Sequence, residues 1–308
     1  MLTLLLAAWL TLVELNCENL FDCQHDSLKQ DTEWLPASVR SWTPARYWRK
    51  QNSLAQELLS CVDEGLPDLV ALVEVENDSC LFDLTRRSLL RRAGYQYLMT
   101  QSPDLRGIDV ALLYQPATFR PLCYDCLEVE PQPGMRPTRD ILYVQGVTAQ
   151  RDTLHVFVVH APSRMGGERA TRPYRLVVMQ RLRQAILQLP ADARILVCGD
   201  FNDPYDGASL KYLASQGLHN VTASAKGRFG IAEGTYRHQG QWQSIDHILV
   251  STPLMPLVRE AYINDIPFLL EEDTDYGGYK PFRTYHGMRY QRGFSDHLPL
   301  VVRLELSR

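Results

Sequence analysis

The chain has 308 residues, 45% of them hydrophobic and 22% charged, with a formal net charge of −4. That is ordinary globular composition, with apolar material for a large core. It lacks the global basic footprint of a dedicated nucleic-acid binder; a local basic cleft is still compatible with it, because only the field at the site acts on a phosphate.

Residues 1–15 read MLTLLLAAWLTLVEL. No basic segment precedes this run and no small-residue cleavage signal ends it, so it makes a poor secretory leader. With Glu14 inside it, it is also too short for a stable membrane span. The expectation is an apolar extension over 1–9, then a single domain over 10–308. A first strand over 11–15 delivers Asn16.

A polar loop over 23–43 leads to a helix that Pro44 opens and that runs to about residue 61, with Leu54, Ala55, Leu58 and Leu59 on one stripe. Gly65 and Pro67 break it. A buried strand over 68–73 ends at Glu74, and a helix over 80–93 stops at Gly94. Strands over 95–100 and 109–114 flank a loop at 101–107. Two more, 119–130 and 140–150, enclose the turn-rich 131–137. A strand over 154–159 ends at His160. The helix expected over 168–189 carries Arg172, Arg175, Arg181 and Arg183, which read as a solvated face.

The apolar run 195–198 reads as a strand ending in Gly199-Asp200-Phe201-Asn202-Asp203-Pro204. Residues two apart in an extended segment share a face, so the Asp200 carboxylate and the Asn202 amide project together. A short helix follows over 207–216, then a loop-rich stretch to 243, a strand over 244–251, a long polar and aromatic loop over 264–295 and a final strand over 298–306. Many strands with few intervening helices predict antiparallel or mixed sheets with helices on their outer faces.

Seven cysteines are scattered, and Cys123-x-x-Cys126 is the only tight pair; no second pair or histidine completes a zinc site. Mostly reduced thiols are expected. A cytoplasmic location is favoured, with export through an incomplete leader as the alternative.

Four apolar strands end in residues able to do chemistry: Asn16, Glu74, His160 and Asp200. Asp246 and the pair Asp296-His297 stand at the starts of two others. Where such strands pair antiparallel, all six residues meet at one rim. Each has a plainer reading: a loop cap for Asn16, an exposed charge for Glu74, a core histidine for His160, a surface turn for Asp296-His297. Asp246 is the hardest to explain away, because an acid among Ile245, Ile248 and Leu249 is costly to bury unpaired. His247 points to the opposite face and reads as structural.

The ordered set Asn16, Asp68-Leu-Val-Ala-Leu-Val-Glu74, Gly107-Ile-Asp-Val-Ala-Leu-Leu-Tyr114, His160-Ala-Pro-Ser-Arg164, Gly199-Asp-Phe-Asn-Asp203, Ile245-Asp-His-Ile-Leu249 and Ser295-Asp-His-Leu-Pro299 resembles the endonuclease/exonuclease/phosphatase family over nearly the whole chain. The resemblance implies an α/β (α+β) four-layer sandwich, two packed mixed β-sheets flanked by helices, with the site at one edge. It implies Mg²⁺-dependent cleavage of a phosphate ester, with Mn²⁺ as a substitute. By the same resemblance, Glu74, Asn16 and Asp296 belong to the metal shell. Asp200 orients or deprotonates the attacking water, and Asn202 helps hold it. His160 contacts phosphate, and His297 is the catalytic histidine paired with Asp246. Val73 departs from the glutamine that many members carry there. The role of Asp109 is open.

What the phosphate is attached to is left to the variable loops. Arg164, Arg283 and Tyr285 are the substrate-binding candidates, since aromatics and arginines stack bases and grip phosphates; packing of the long loop explains Tyr285 as well. The first expectation is an endonuclease-like phosphodiesterase acting on a phosphate ester such as DNA or RNA, as a monomer without a membrane span. A phosphomonoesterase or lipid-headgroup phosphodiesterase on the same scaffold is the second. A catalytically silent binding protein is the third, disfavoured because no principal position is lost.

Overall fold

The computed structural model describes residues 8–306. Strand β1 (Ala8–Leu20) is followed by α1 (Pro44–Leu59), β2 (Leu69–Val75), α2 (Asp78–Arg86), β3 (Gln96–Met99) and β4 (Asp109–Tyr114). Next come β5 (Phe119–Leu127), β6 (Ile141–Thr148), β7 (Thr153–His160), α3 (Glu168–Ile186), β8 (Ile195–Asp200) and α4 (Ala208–Ala214). The last third holds β9 (Leu218–Asn220), β10 (Tyr236–His238), β11 (Gln241–Gln243), β12 (Asp246–Ser251), β13 (Val258–Ile263), β14 (Leu270–Glu272), β15 (Tyr279–Pro281), β16 (Tyr285–His286), β17 (Arg289–Tyr290) and β18 (Leu300–Leu306).

Two six-stranded sheets result, ordered β13-β18-β1-β2-β4-β3 and β5-β6-β7-β8-β12-β9. In each, only the central pair is parallel, β1 with β2 and β7 with β8. The alternation of side chains along a strand decides what each face buries. In β1, Leu10 and Leu12 enter the cluster between the sheets, while Val13, Leu15 and Cys17 face α1 and α2. In β8, Leu196 and Cys198 face inward, while Ile195 and Val197 pack under α3 and α4. Both sheets are thus covered on both faces, which is why their strands read as nearly continuous apolar runs. The layers are helix, sheet, sheet, helix, as the sandwich reading requires.

Local differences from expectation have physical causes. The strand expected from residue 11 begins at Ala8, because Ala8 and Trp9 pair with Leu306 and Glu305; the rest of the expected extension, 1–7, lies outside the described residues. The helix expected over 80–93 splits after Arg86, where Ser88 donates to Leu84 O and accepts from Leu90 N, starting a separate 3-10 turn over Leu89–Arg92. The long loop after residue 264 contains two hairpins, β14/β15 and β16/β17. Arg175 is not solvated: it is fully buried, donating to Thr171 Oγ1 at 2.8 Å and Glu168 O at 3.3 Å. All seven cysteines are free thiols. Among the described residues, no helix is long and apolar enough to cross a membrane.

Candidate active site

Inward-facing side chains stay apolar along three neighbouring strands until the last position before the rim. On β7 the row Leu154, Val156, Val158 ends in His160; on β8 Leu196 and Cys198 end in Asp200; on β12 Val250 and Ile248 lead back to Asp246. The register sets His160 opposite Asp200 and Asp246 opposite Asp200, so the three stand side by side. β12 runs antiparallel to β8, which is how a residue that starts one strand meets a residue that ends another. From the other sheet, Asn16 Nδ2 donates to Asp200 Oδ2 at 3.1 Å and ties the two rims together.

The backbone around Asp200 is built for close approach. Gly199 has φ +138°, and a Cβ there would stand 1.8 Å from the Val159 carbonyl oxygen, so no other residue fits. Asn202 takes a left-handed conformation, φ +50°. Its backbone N–H donates to Asp200 Oδ1 at 2.7 Å and its side-chain Nδ2 to Ala161 O at 3.1 Å. Asn202 therefore fixes the carboxylate and the chain just past His160.

His297 arrives from the loop before β18. Its Nδ1 lies 2.7 Å from Asp246 Oδ2, which also accepts from the Thr235 hydroxyl. The ring packs on Tyr236, centroids 4.9 Å apart. Burial alone would lower the proton affinity of this imidazole, but Asp246, the hydrogen bond to it, Asp296 and Asp200 outweigh burial and hold it well above the ordinary histidine range. His160 is the reverse: burial, then Arg139, Arg106 and His297, push it well below that range. Burial and Asp246 raise Asp200 to about 7. A ring pushed toward its neutral form, a ring pushed toward its charged form and a carboxyl group raised to about 7 thus share one rim.

They open into a cavity of about 600 Å³ whose walls include Asn16, Glu74, His160, Asp200, Asn202, Asp296 and His297. Glu74 sits at a bulge in β2 with φ +62°. Its Oε2 accepts the Asn19 N–H at 3.0 Å, and its Oε1 lies 3.5 Å from Arg106 Nη1. Asp296 accepts from Arg283 Nη2 at 2.8 Å, and although burial alone would raise its carboxyl, Arg283, His297 and Lys50 hold it below the ordinary range. Arg164 lines the same cavity and donates to Gln243 Oε1 at 2.6 Å.

Two of the expected substrate contacts, Tyr285 and Arg283, lie outside the lining of the larger cavity. Tyr285 is buried in the aromatic cluster with Trp34 and Trp42 beneath α1, and its hydroxyl donates to Arg40 O at 2.9 Å, so it lines neither cavity. Arg283 is held between Asp296 and Glu18 and faces a second, smaller cavity of about 160 Å³ beyond Tyr236. Sequence reasoning missed Arg106, Tyr236 and Glu18. Arg106 sits in a loop singled out only as variable. That loop is fixed by Lys29 Nζ on Ser102 O and Asp104 O, by the Arg139–Asp104 ion pair, and by Asp109, which accepts from Ser102 N and Thr100 Oγ1. Asp109 is thereby a loop anchor.

The family model for the endonuclease/exonuclease/phosphatase family matches residues 11–306. The chain belongs to the endonuclease/exonuclease/phosphatase family. Members of this family are phosphoester hydrolases, and so is this chain. Among curated proteins, no sequence matches significantly. Solved structures with the same fold include an endonuclease/exonuclease/phosphatase family protein from Bacteroides thetaiotaomicron, 16% identical with a TM-score of 0.65 over 97% of this chain and 98% of that one. A mannosyl-6-phosphatase from the same organism is 16% identical, TM-score 0.64, over 95% and 98%. TDP2 from D. rerio, complexed with a single-strand DNA product, is 15% identical, TM-score 0.59, over 97% and 100%. At these identities the likeness is one of fold.

The family is generally dependent on divalent metals, and two donor sets were tested against that need. Asp200, Asp246 and His297 offer ligand atoms within 4.8 Å of one another. However, His297 Nδ1 and Asp246 Oδ2 are already bonded to each other, and Asp246 is almost wholly buried. Glu74, Asn16 and Asp296 also line the open cavity, and the two carboxylates among them supply hard oxygen donors. A hard divalent cation that keeps several waters suits the second set, and the first is better suited to moving protons.

Proposed function

We propose that this chain is a Mg²⁺-dependent phosphodiester hydrolase of the endonuclease-like type, with Mn²⁺ as a substitute, in which water attacks phosphorus in line. The observation that carries the reading is the row His160–Asp200–Asp246, completed by His297, with His160, Asp200 and His297 lining a cavity that Glu74 also lines. Glu74, Asn16 and Asp296 hold the cation, whose chemistry is to neutralise charge on the phosphate.

Asp200 accepts the proton of the attacking water through Oδ2. A carboxyl group with pKa near 7 is matched to that task at neutral pH. Asn16 Nδ2 and the Asn202 N–H keep it oriented. His297, protonated through Asp246, donates from Nε2 to a phosphoryl or leaving oxygen, and neutral His160 adds a weaker donor from the other wall. Such donors cost nothing to reorganise when charge develops.

A second reading, a phosphomonoesterase or headgroup hydrolase, rests on the cavity walls. Arg106 and Arg164 are offset there by Glu74, Glu168 and Asp296, which is not a continuous basic track for a polymer. Relatives with this fold include both a mannosyl-6-phosphatase and TDP2 held with single-strand DNA, so fold alone admits both ester classes. Hydrolysis of bis-p-nitrophenyl phosphate beside p-nitrophenyl phosphate, with Mg²⁺ or EDTA, decides between them. Diester cleavage that needs metal and falls by about 10²–10⁴ in Asp200→Asn is expected. Selective monoester cleavage would promote the second reading.

A further inference from the structure

The first strand makes an irregular turn where it reaches the site. Its register against β2 slips between Asn16 and Leu20, and two consecutive non-glycine residues, Glu18 at φ +48° and Asn19 at φ +61°, adopt the left-handed conformation. Such strain persists only where the surroundings over-determine it. Here the surroundings are the acids of the cavity. Asn16 Nδ2 donates to Asp200, and its Oδ1 accepts the Glu18 N–H at 2.9 Å. The Asn19 N–H donates to Glu74 Oε2. Glu18 itself turns away from the cavity and into the loop that carries Asp296.

That carboxylate is surrounded by donors. Oε2 accepts the Thr284 N–H at 2.5 Å; Oε1 accepts the Tyr285 N–H at 3.3 Å and Arg283 Nε at 3.4 Å. Arg283 continues to Asp296 through Nη2. Behind Glu18 stands Lys50, wholly buried on α1, 3.9 Å from Oε2 and donating to Thr284 Oγ1 at 2.7 Å and to Phe294 O. The order Lys50, Glu18, Arg283, Asp296 alternates in sign from the helix layer to the rim.

We propose that Glu18 is a positioning residue: acting through Arg283, it fixes where the Asp296 carboxylate stands relative to Glu74, and so sets the affinity of the site for its divalent cation. This rests on the metal reading given above. The four residues 16–19 then act as a hub, with Asn16 aligning Asp200, Asn19 aligning Glu74 and Glu18 aligning Asp296. The same two-residue kink serves both carboxylates, which explains why the chain keeps it without glycine. Glu18 touches neither substrate nor cation.

The test is Mn²⁺ binding to the full chain by calorimetry, without substrate, for wild type, Glu18→Gln and Arg283→Met. Both variants are expected to bind Mn²⁺ at least 10-fold more weakly, with kcat at saturating Mn²⁺ falling far less than the affinity. A merely structural role would lower the melting temperature and leave the affinity of the folded protein in place. Glu18→Gln leaves Lys50 buried beside a neutral group; should it fail to fold, Glu18→Gln/Lys50→Met removes that mismatch, and Arg283→Met breaks the same link at a half-buried position. Wild-type affinity in any of these folded variants would overturn the role of Glu18. A wild type that binds no Mn²⁺ would instead overturn the metal reading beneath it.

Discussion

His160 and His297 line one cavity, and their surroundings shift them in opposite directions. His160 ends β7 in the second sheet, wholly buried, its Nδ1 without a hydrogen-bond partner among the described residues. Its charged neighbours are Arg139, Arg106 and His297, all cationic, so they add to burial in keeping it neutral. Against these cations stands Asp200, its Oδ2 3.8 Å from His160 Nε2. His297, entering from the first sheet, is as deeply buried but faces Asp246, Asp296 and Asp200. Two identical side chains at similar depth are thus shifted in opposite directions, because the sign of their neighbours differs. One rim can then offer a charged donor and a neutral one without titrating either at neutral pH.

The sharpest way to break this comparison is to remove each ring in turn. His297→Ala should lower kcat by about 10²–10³, the usual cost of a donor aimed at developing charge. His160→Ala, removing a neutral donor, should cost about 10-fold, in line with the smaller worth of uncharged hydrogen bonds. Steady-state kinetics on one diester substrate checks both. Equal losses would mean that the two rings carry the same charge in the working enzyme and that the asymmetry of their neighbours is without effect.

Asp246→Asn tests the cause of the asymmetry while keeping both rings. The acid raises His297 and also raises Asp200. Removing its charge must therefore lower both. A base is active above its pKa and an acid donor below its own, so the rate rises through the Asp200 value near 7 and falls at the higher His297 value. In Asp246→Asn both limbs should move to lower pH, the alkaline limb further, because His297 loses both the charge of Asp246 and its hydrogen bond to it. The pH profile of kcat/KM reads this directly. Movement of only the alkaline limb would show that Asp200 does not sense Asp246.

Sequence reasoning reached the part of the site that obeys a period. His160, Asp200 and Asp246 each sit where an apolar inward row ends, and alternation makes that visible without a structure. Glu74 and Asn16 were legible as strand ends, though not the bulges that turn them. β13 was not anticipated, because it is an edge strand whose side chains are mostly half-exposed, so its apolar pattern is weak. Arg106 and Tyr236 carry no readable period; the first sits in a loop pinned by distant partners, the second on the three-residue strand β10. Arg175 went the other way, since an arginine expected on a solvated face was drawn inward by partners that only the folded chain supplies, and for Tyr285 the packing alternative describes where the ring lies. Glu14 is the extreme case: wholly buried on the inward face of β1, its oxygens without partners among the described residues, it is driven by burial, Asp246 and Asp200 well above the ordinary carboxyl range, and the sequence marked it only as an acid unsuited to a membrane span.

The smallest effect is expected from Arg106, and its value lies in its two signs. This guanidinium is 47% exposed and 3.5 Å from Glu74 Oε1, so solvent screens the pair and its worth is on the order of 0.2–1 kcal/mol. That corresponds to at most about 5-fold in an equilibrium constant. Arg283 is held by Glu18 as well as by Asp296, whereas Glu74 is the one acid paired with Arg106 among the described residues, so where Glu74 holds a cation Arg106 competes with that cation for the carboxylate. Arg106→Ala should then tighten Mn²⁺ binding by at most about 5-fold, measured by calorimetry. The same residue lines the cavity as one of its two arginines, so losing it should raise the KM of a phosphodiester by a comparable factor. Opposite movements in metal affinity and substrate affinity are what distinguish a cation that yields Glu74 and serves the phosphate from a plain surface charge. If both constants weaken together, Arg106 supports Glu74 instead of competing for it. The neutral state of His160, which Arg106 helps impose, would then be tied to the metal wall of the cavity as well as to its own.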